Sequence, residues 1–269
     1  MAFRGAYLGV PGDMFLFAQL RGSQSVATSR ETSYKKTLGG RLRAQVSPQV
    51  LREWSCEMPV SAPADSARLR ALASGLYGLG PFAWVPVAAT ASNVLSLGAS
   101  MPGHTHRTWT GNAVPTGVWR VPGVGLVRHS LIAEGSSVTF RDAPVHHEFP
   151  VTGSVYLTGG QLALEVFDAA GVPVGHGSAA AVGTDLMRVS VTLTDLPEGA
   201  TSARMTVTGA QQVGLPAVSW TPKPCEWVPG AGSNSVFVEG FDADLVLVDN
   251  WQGLREAISF TVKELDSDA

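Results

Sequence analysis

The sequence predicts an all-β protein with one short helix, arranged as a split β-domain that carries an inserted β-sandwich. Three observations predict it. Thirty glycines and seventeen prolines punctuate the 269 residues, and the short runs between them are rich in Val, Thr, Phe and Trp, which favours strands joined by turns. The middle of the chain, from about Trp109 to Thr221, repeats such runs at a short regular spacing, the rhythm of a sandwich. The last run, Gly253 to Leu265, alternates Ile258, Phe260 and Val262 against Ser259, Thr261 and Lys263, so it reads as a strand with one buried face. The 45 residues 225–269 are few for an independent domain without staples or metal. This tail therefore needs a sheet supplied by the head of the chain, and the expected domains are 1–103 with 225–269, and 104–224.

Each element has its own signal. "ETSYKKTLGGRLRAQVSP" reads as two strands around Gly39 and Gly40. "QVLREWSCEMPV" continues as a strand in which Leu51, Glu53, Ser55 and Glu57 alternate against Arg52, Trp54, Cys56 and Met58, with Trp54, Cys56 and Met58 as the inward set. In "PADSARLRALASGLYG" the residues Leu69, Leu72, Ala73 and Leu76 recur at helical spacing, with Asp65 to cap the start and Gly78 to end it. "GPFAWVPVA" is a strand, and "ASNVLSLGASMPGHTHRTWTGN" has the small and polar residues of a linker. In the middle segment, "SLIA", "SSVTFR", "FPVTGSVYLTG", "QLALEVFDAAG", "MRVSVTLTDL", "SARMTVTG" and "PAVSWT" are the strand-like runs.

Composition bounds the function. At 45% hydrophobic and 15% charged the chain can bury a full core. The N-terminus lacks the apolar stretch of a signal peptide and no run reaches the roughly 20 apolar residues of a membrane span, so neither Sec export nor membrane insertion is expected. Cys56 and Cys225 are too few for a disulfide scaffold, lack zinc spacing, and are expected to be buried thiols. Net charge is −3, but ten basic residues oppose five acidic ones in 1–103, seven oppose eight in 104–224, and two oppose nine in 225–269. The basic excess is concentrated around Lys35, Lys36, Arg41 and Arg43 without interleaved aromatics or a nucleic-acid motif, so a nucleic-acid partner is not expected. An inter-subunit role is expected for these four, against the acidic tail of the next copy.

No nucleophile-elbow, metalloprotease, P-loop or dinucleotide motif is present, and no catalytic residue, cofactor or metal is assigned. His146 and His147 are adjacent and would point to opposite faces of a strand, His104 and His106 have better ligand spacing but no third ligand, and Asp242 and Asp244 read as a solvated turn. Glu165 and Asp168 read as surface acids rather than a hydrolytic pair. Sugar rings stack on exposed aromatics, and Tyr156 and Trp119 are the candidate glycan-binding residues, with core packing the alternative for each.

From about Val114 to Trp220 the pattern resembles the jelly-roll carbohydrate-binding modules of phage tail proteins and glycoside hydrolases, departing from it at Met187 in "TDLMRVSVT". As a whole, "REW", "GPFAWVP" and the ending "ISFTVKE" around an inserted sandwich resemble a minor tail protein of tailed, siphovirus-like phages, similar to distal tail and tail-tube-like proteins. The resemblance implies a non-enzymatic virion protein at the tail tip or baseplate, present in the host cytoplasm during assembly. It would self-associate in a hexamer-like ring, meet the tail tube and tail hub proteins, and present its sandwich to host-surface glycans. The contrasting reading is a stand-alone carbohydrate-binding protein or an accessory module of a glycoside hydrolase.

Overall fold

A computed structural model of the chain describes residues 5–18, 24–30, 32–46, 50–101, 109–121, 123–249 and 253–265. In chain order the elements begin with β1 (Ala6–Val10), β2 (Asp13–Phe17), β3 (Gln24–Ser29), β4 (Thr32–Lys36), β5 (Leu42–Val46), β6 (Leu51–Ser61), α1 (Pro63–Ala73), β7 (Phe82–Val85), α2 (Val87–Thr90) and α3 (Leu97–Ser100). They continue with β8 (Trp109–Gly111), β9 (Ala113–Val121), β10 (Gly125–Ile132), β11 (Ser137–Phe140), β12 (Ala143–Pro144), β13 (Val151–Thr158), β14 (Gln161–Asp168) and β15 (Pro173–Ala180). The last five are β16 (Leu186–Leu193), β17 (Ala200–Thr208), β18 (Gln212–Ser219), β19 (Ser233–Asp249) and β20 (Gly253–Glu264). The protein is mostly β, as its sequence predicts. The chain divides into two compact units, Met1–Ala18 with Pro81–Asn234, and Gln19–Gly80 with Ser235–Ala269.

The first unit is a jelly-roll sandwich. One sheet runs β16-β13-β18-β10-β9, the other β15-β14-β17-β11-β8 with β12 also on β17, and the chain from β13 to β18 crosses repeatedly between them. Alternation explains the core: Val151, Val155, Leu157, Val189 and Val191 point inward from one sheet, and Leu162, Leu164, Val166, Met205 and Val207 from the other. The hairpin of β1 and β2, with β7 antiparallel on β1, adds Tyr7, Met14, Ala83 and Val85 to the same core.

The linker-like passage after β7 is not a linker where it is described. Val94, Leu95 and Ala99 are buried in the core. Asn93, fully buried, donates from its amide nitrogen to the carbonyls of Val228 and Pro216, while its oxygen accepts from the backbone of Leu95 and Val218. A buried amide satisfied on all sides fixes three segments to one another, which small and polar composition does not reveal.

The second unit contains the sheet β19-β20-β6-β3. Here the closing strand finds its partner: Phe260 sits opposite Cys56 and Val262 opposite Trp54. The inward row of β6 is Arg52, Trp54, Cys56 and Met58, and burial pushes the Cys56 thiol up to about 12. Arg52 makes a two-pronged ion pair with Glu264 at 2.7 and 2.9 Å, both side chains 6% exposed, and lies 4.9 Å over the Trp54 ring. α1 packs against β20, but with Ser66, Leu69 and Leu72 buried, and it ends at Ala73 rather than near Gly78. Gly75 adopts φ +77°, and the amides of Gly75 and Leu76 close back on the carbonyls of Leu72 and Ala71, a left-handed helix stop that leaves Leu76 outside and exposed. Nor does Asp65 cap the start; the N-cap is Ala62.

β4 and β5 form a separate two-stranded sheet. Tyr34, Leu38 and Leu42 are exposed on it. No described helix is long and apolar enough to cross a membrane.

Candidate functional site

The outward side chains of the sandwich follow from its inward ones. With Leu162, Leu164 and Val166 in the core, Ala163 and Glu165 of β14 point out; with Ala203, Met205 and Val207 inside, Arg204 and Thr206 of β17 point out. Strand register then sets Ala163, Thr206, Thr139 and Thr110 in one row across four strands, and Glu165 beside Arg204 in the next. Small side chains in the first row leave a trough. Thr110, Thr139, Thr206, Glu165 and Arg204, together with Arg141, Asp142 and Asn234, line a cleft of about 800 Å³.

The polar groups of the cleft are held in place. Arg204 donates from Nε and Nη2 to the two carboxylate oxygens of Asp142 at 2.7 and 2.8 Å, and its guanidinium lies 4.6 Å over the Phe167 ring. The hydrogen bond to Asp142 raises the Arg204 pKa above its ordinary value, burial opposes this, and the charges of Asp142 and Glu165 add to it. Asn234 donates its side-chain amide to the Asp142 carbonyl. The hydroxyls of Thr139 and Thr206 are 3.1 Å apart, and that of Thr110 donates to the Thr139 carbonyl at 3.4 Å. The half-buried Glu165 carboxylate has no hydrogen-bond partner among the described residues. Phe140 also lines the cleft, but it is 1% exposed and packs edge-on against Trp109, so it is floor rather than platform.

Tyr156 and Trp119 lie together on the outer face of the other sheet, not in this cleft. Tyr156 is opposite Gly214 and Arg188, and the Arg188 guanidinium lies 6.0 Å from its ring. Arg188 also donates to the Ser154 hydroxyl and the Cys225 carbonyl. Trp119 stacks on His129 at 4.5 Å and 18° and donates its indole N–H to Gln212 at 3.1 Å. A Cβ on Gly214 would stand 2.8 Å from the Trp119 ring. Leu215 takes a left-handed φ of 56° beside a register shift of β13 on β18, and Leu215 and Ala217 cluster with Val121 and Trp227 on this face. Tyr156 and Trp119 pack half-buried against that cluster. Burial lowers the pKa of His129, whose Nδ1 has no hydrogen-bond partner among the described residues.

The remaining sequence candidates fall elsewhere. His146 and His147 leave the strand after β12, and their rings stack at 5.0 Å instead of pointing apart. His104 and His106 lie outside the described residues. Asp242 and Asp244 lie on β19 rather than in a turn and, with Glu57, line a groove of about 250 Å³ in the second unit, and among the described residues no three His, Cys, Asp or Glu side chains form a metal site. Lys35, Lys36, Arg41 and Arg43 are exposed on the β4–β5 hairpin. Cys56 is buried, whereas Cys225 is half-exposed in the segment after β18.

No protein-family model and no curated protein sequence matches the chain. Solved structures resemble part of it. The enzymatically active domain of tailspike protein 4 of bacteriophage CBA120 is 14% identical over 47% of this chain and 21% of its own, with a TM-score of 0.35. The CBM22-1–GH10 modules of Clostridium thermocellum endo-1,4-β-D-xylanase 10B, complexed with xylohexaose, are 9% identical over 51% of this chain and 30% of theirs, with a TM-score of 0.35. TmCBM61 in complex with β-1,4-galactotriose is 11% identical over 48% of this chain and 98% of its own, with a TM-score of 0.32. The likeness is thus to part of this chain and to less than a third of the two longer structures, and the functional reading rests on the cleft itself.

Proposed function

We propose that the sandwich unit binds carbohydrate, and that its cleft is the binding site. The observation that carries this is the lining: a cleft of about 800 Å³, within the roughly 300 to 1,000 Å³ of small-ligand sites, but walled by threonines, an amide, carboxylates and guanidinium instead of apolar side chains. An apolar ligand would gain little there. A polyhydroxylated one meets donors and acceptors at fixed positions on a rigid sheet. The role is binding rather than hydrolysis, because both oxygens of Asp142 are engaged by Arg204 and leave no free carboxylate pair across the cleft. Retardation of the protein in native gels containing soluble polysaccharide tests the reading; unchanged mobility across neutral and acidic polysaccharides overturns it.

The β4–β5 hairpin favours a second, compatible role, the ring-forming tail-tip component that the sequence resembles, located in the virion. Lys35 stands opposite Arg43, a like-charged pair that destabilises an isolated hairpin. An acidic surface of a second copy would relieve it. Reversing Lys35, Lys36 and Arg43 to Glu is expected to reduce self-association, measured by light scattering at low salt; a wild-type monomer at high concentration overturns this role.

A further inference from the structure

The ligand's chemistry is written in which charges of the cleft are already satisfied. Arg204 is committed to the two oxygens of Asp142 and to the face of Phe167, and makes no hydrogen bond to Glu165 beside it in register. It has little left for a ligand carboxylate or sulfate, Arg141, the other guanidinium of the lining, is likewise engaged, and Asp142 and Glu165 repel an anion. Glu165 is the opposite case: half-buried, aimed into the cleft, and without a hydrogen-bond partner among the described residues. A carboxylate with two free oxygens is matched by two adjacent hydroxyl donors, each forming a charge-assisted bond. The neighbouring row of Thr206, Thr139 and Thr110 supplies weaker, neutral partners around it. The lining presents no exposed aromatic ring among the described residues, so the sugar is held by its hydroxyl edge and not by stacking on its face.

Resting on the carbohydrate reading, we infer that the cleft selects neutral sugars bearing a free vicinal diol, which Glu165 accepts through both carboxylate oxygens. The substrate class is therefore a neutral glycan whose residues keep a free vicinal diol, and uronic-acid and sulfated polymers are disfavoured.

The test uses the full chain, wheat arabinoxylan and guar galactomannan as neutral probes, polygalacturonate as the acidic one, and affinity electrophoresis as the readout. Periodate followed by borohydride reduction destroys vicinal diols in the neutral polymers and is expected to abolish their retardation of the protein. Glu165→Ala is expected to weaken retardation about 10- to 100-fold, the range for a hydrogen bond to a charged group, with Glu165→Gln between it and wild type. The near-isosteric Gln variant keeps the comparison valid should the Ala variant misfold. Stronger retardation by polygalacturonate overturns the inference alone and leaves carbohydrate binding standing. So does neutral binding that is unaffected by both Glu165 variants or by periodate. Retardation by none of the polymers overturns both.

Discussion

The two outer faces of one sandwich have been put to opposite uses. On the β14–β17 face the side chains are short and polar, and a trough stays open between Glu165, Arg204 and the threonine row. On the β13–β18 face, aromatic side chains and the segment after β18 close over the sheet: Trp227 packs with Leu215 and Ala217 and donates its indole N–H to the Pro216 carbonyl at 3.2 Å. Exposed polar groups contribute little to folding but are available to a ligand. Buried aromatics contribute much to folding and are available to nothing else. The contrast teaches that an aromatic residue on the outside of a sheet is no sign of a binding platform until its covering is known.

The largest expected effect lies on the closed face. Trp227→Ala removes a side chain only 9% exposed and should cost about 3–5 kcal/mol, as deletion of buried Trp or Phe does, read as a lowered denaturation midpoint. Polysaccharide retardation at a temperature where the variant is folded should not change. A lost cleft affinity in the folded variant would break the separation of the two faces. Next comes Gly214→Val. Its Cβ would stand 2.8 Å from the Trp119 ring, and the ring cannot yield without leaving His129, so about 1–3 kcal/mol should be lost by overpacking. Changed tryptophan fluorescence would accompany the loss; a variant as stable as wild type would show that the stack is loose.

What could be read from the sequence follows the same division. Where one buried face imposes alternation, as in β6 and β20, the strand, its inward residues and even its need for a distant partner were legible. β15 was not, because Gly175 and Gly177 suppress the strand signal; Gly177 is required there since a Cβ would meet Val191 at 2.8 Å. The cleft was illegible for a different reason. Thr110 and Thr139 are 29 residues apart and Thr139 and Thr206 are 67 apart, so only strand register brings them into one row, and Glu165 read as an ordinary surface acid. Tyr156 and Trp119 stand on the outer face of their sheet yet pack half-buried against the cluster there, and alternation carries no information about the segment that covers them.

The closed face should also respond to acid. Burial depresses the His129 imidazole below its usual 6.5, so the unfolded chain takes up the proton first as pH falls. The neutral form's contribution to stability is complete above about pH 6.5 and is lost as pH drops from there through the depressed folded value. His146 acts in the same direction, lowered chiefly by burial, with Glu148 raising it and His147 lowering it. His129→Phe keeps a ring against Trp119 but cannot titrate. Its fall in melting temperature between pH 7.5 and pH 5 should be smaller than that of wild type, the remainder belonging to His146. An identical fall in both proteins would mean that His129 is solvated on acidification without loss of packing.

The smallest stability effect is expected on the open face, and it decides most about that face. Lys in place of Arg204 keeps the charge but cannot bond both Asp142 oxygens in a plane or lie flat on Phe167. The Arg204 and Asp142 side chains are 41% and 31% exposed, so solvent screens their pairing and Arg204→Lys should cost less than about 1 kcal/mol by chemical denaturation. Its effect on polysaccharide retardation should nevertheless be clear, because Asp142 would regain a free oxygen and the fixed geometry around Glu165 would loosen. Low cost to the fold with a measurable change in affinity is the signature of a surface arranged for a ligand. A loss of stability comparable to that of Trp227→Ala would instead make the Arg204–Asp142–Phe167 arrangement a structural clamp, and the two faces would differ in polarity but not in purpose.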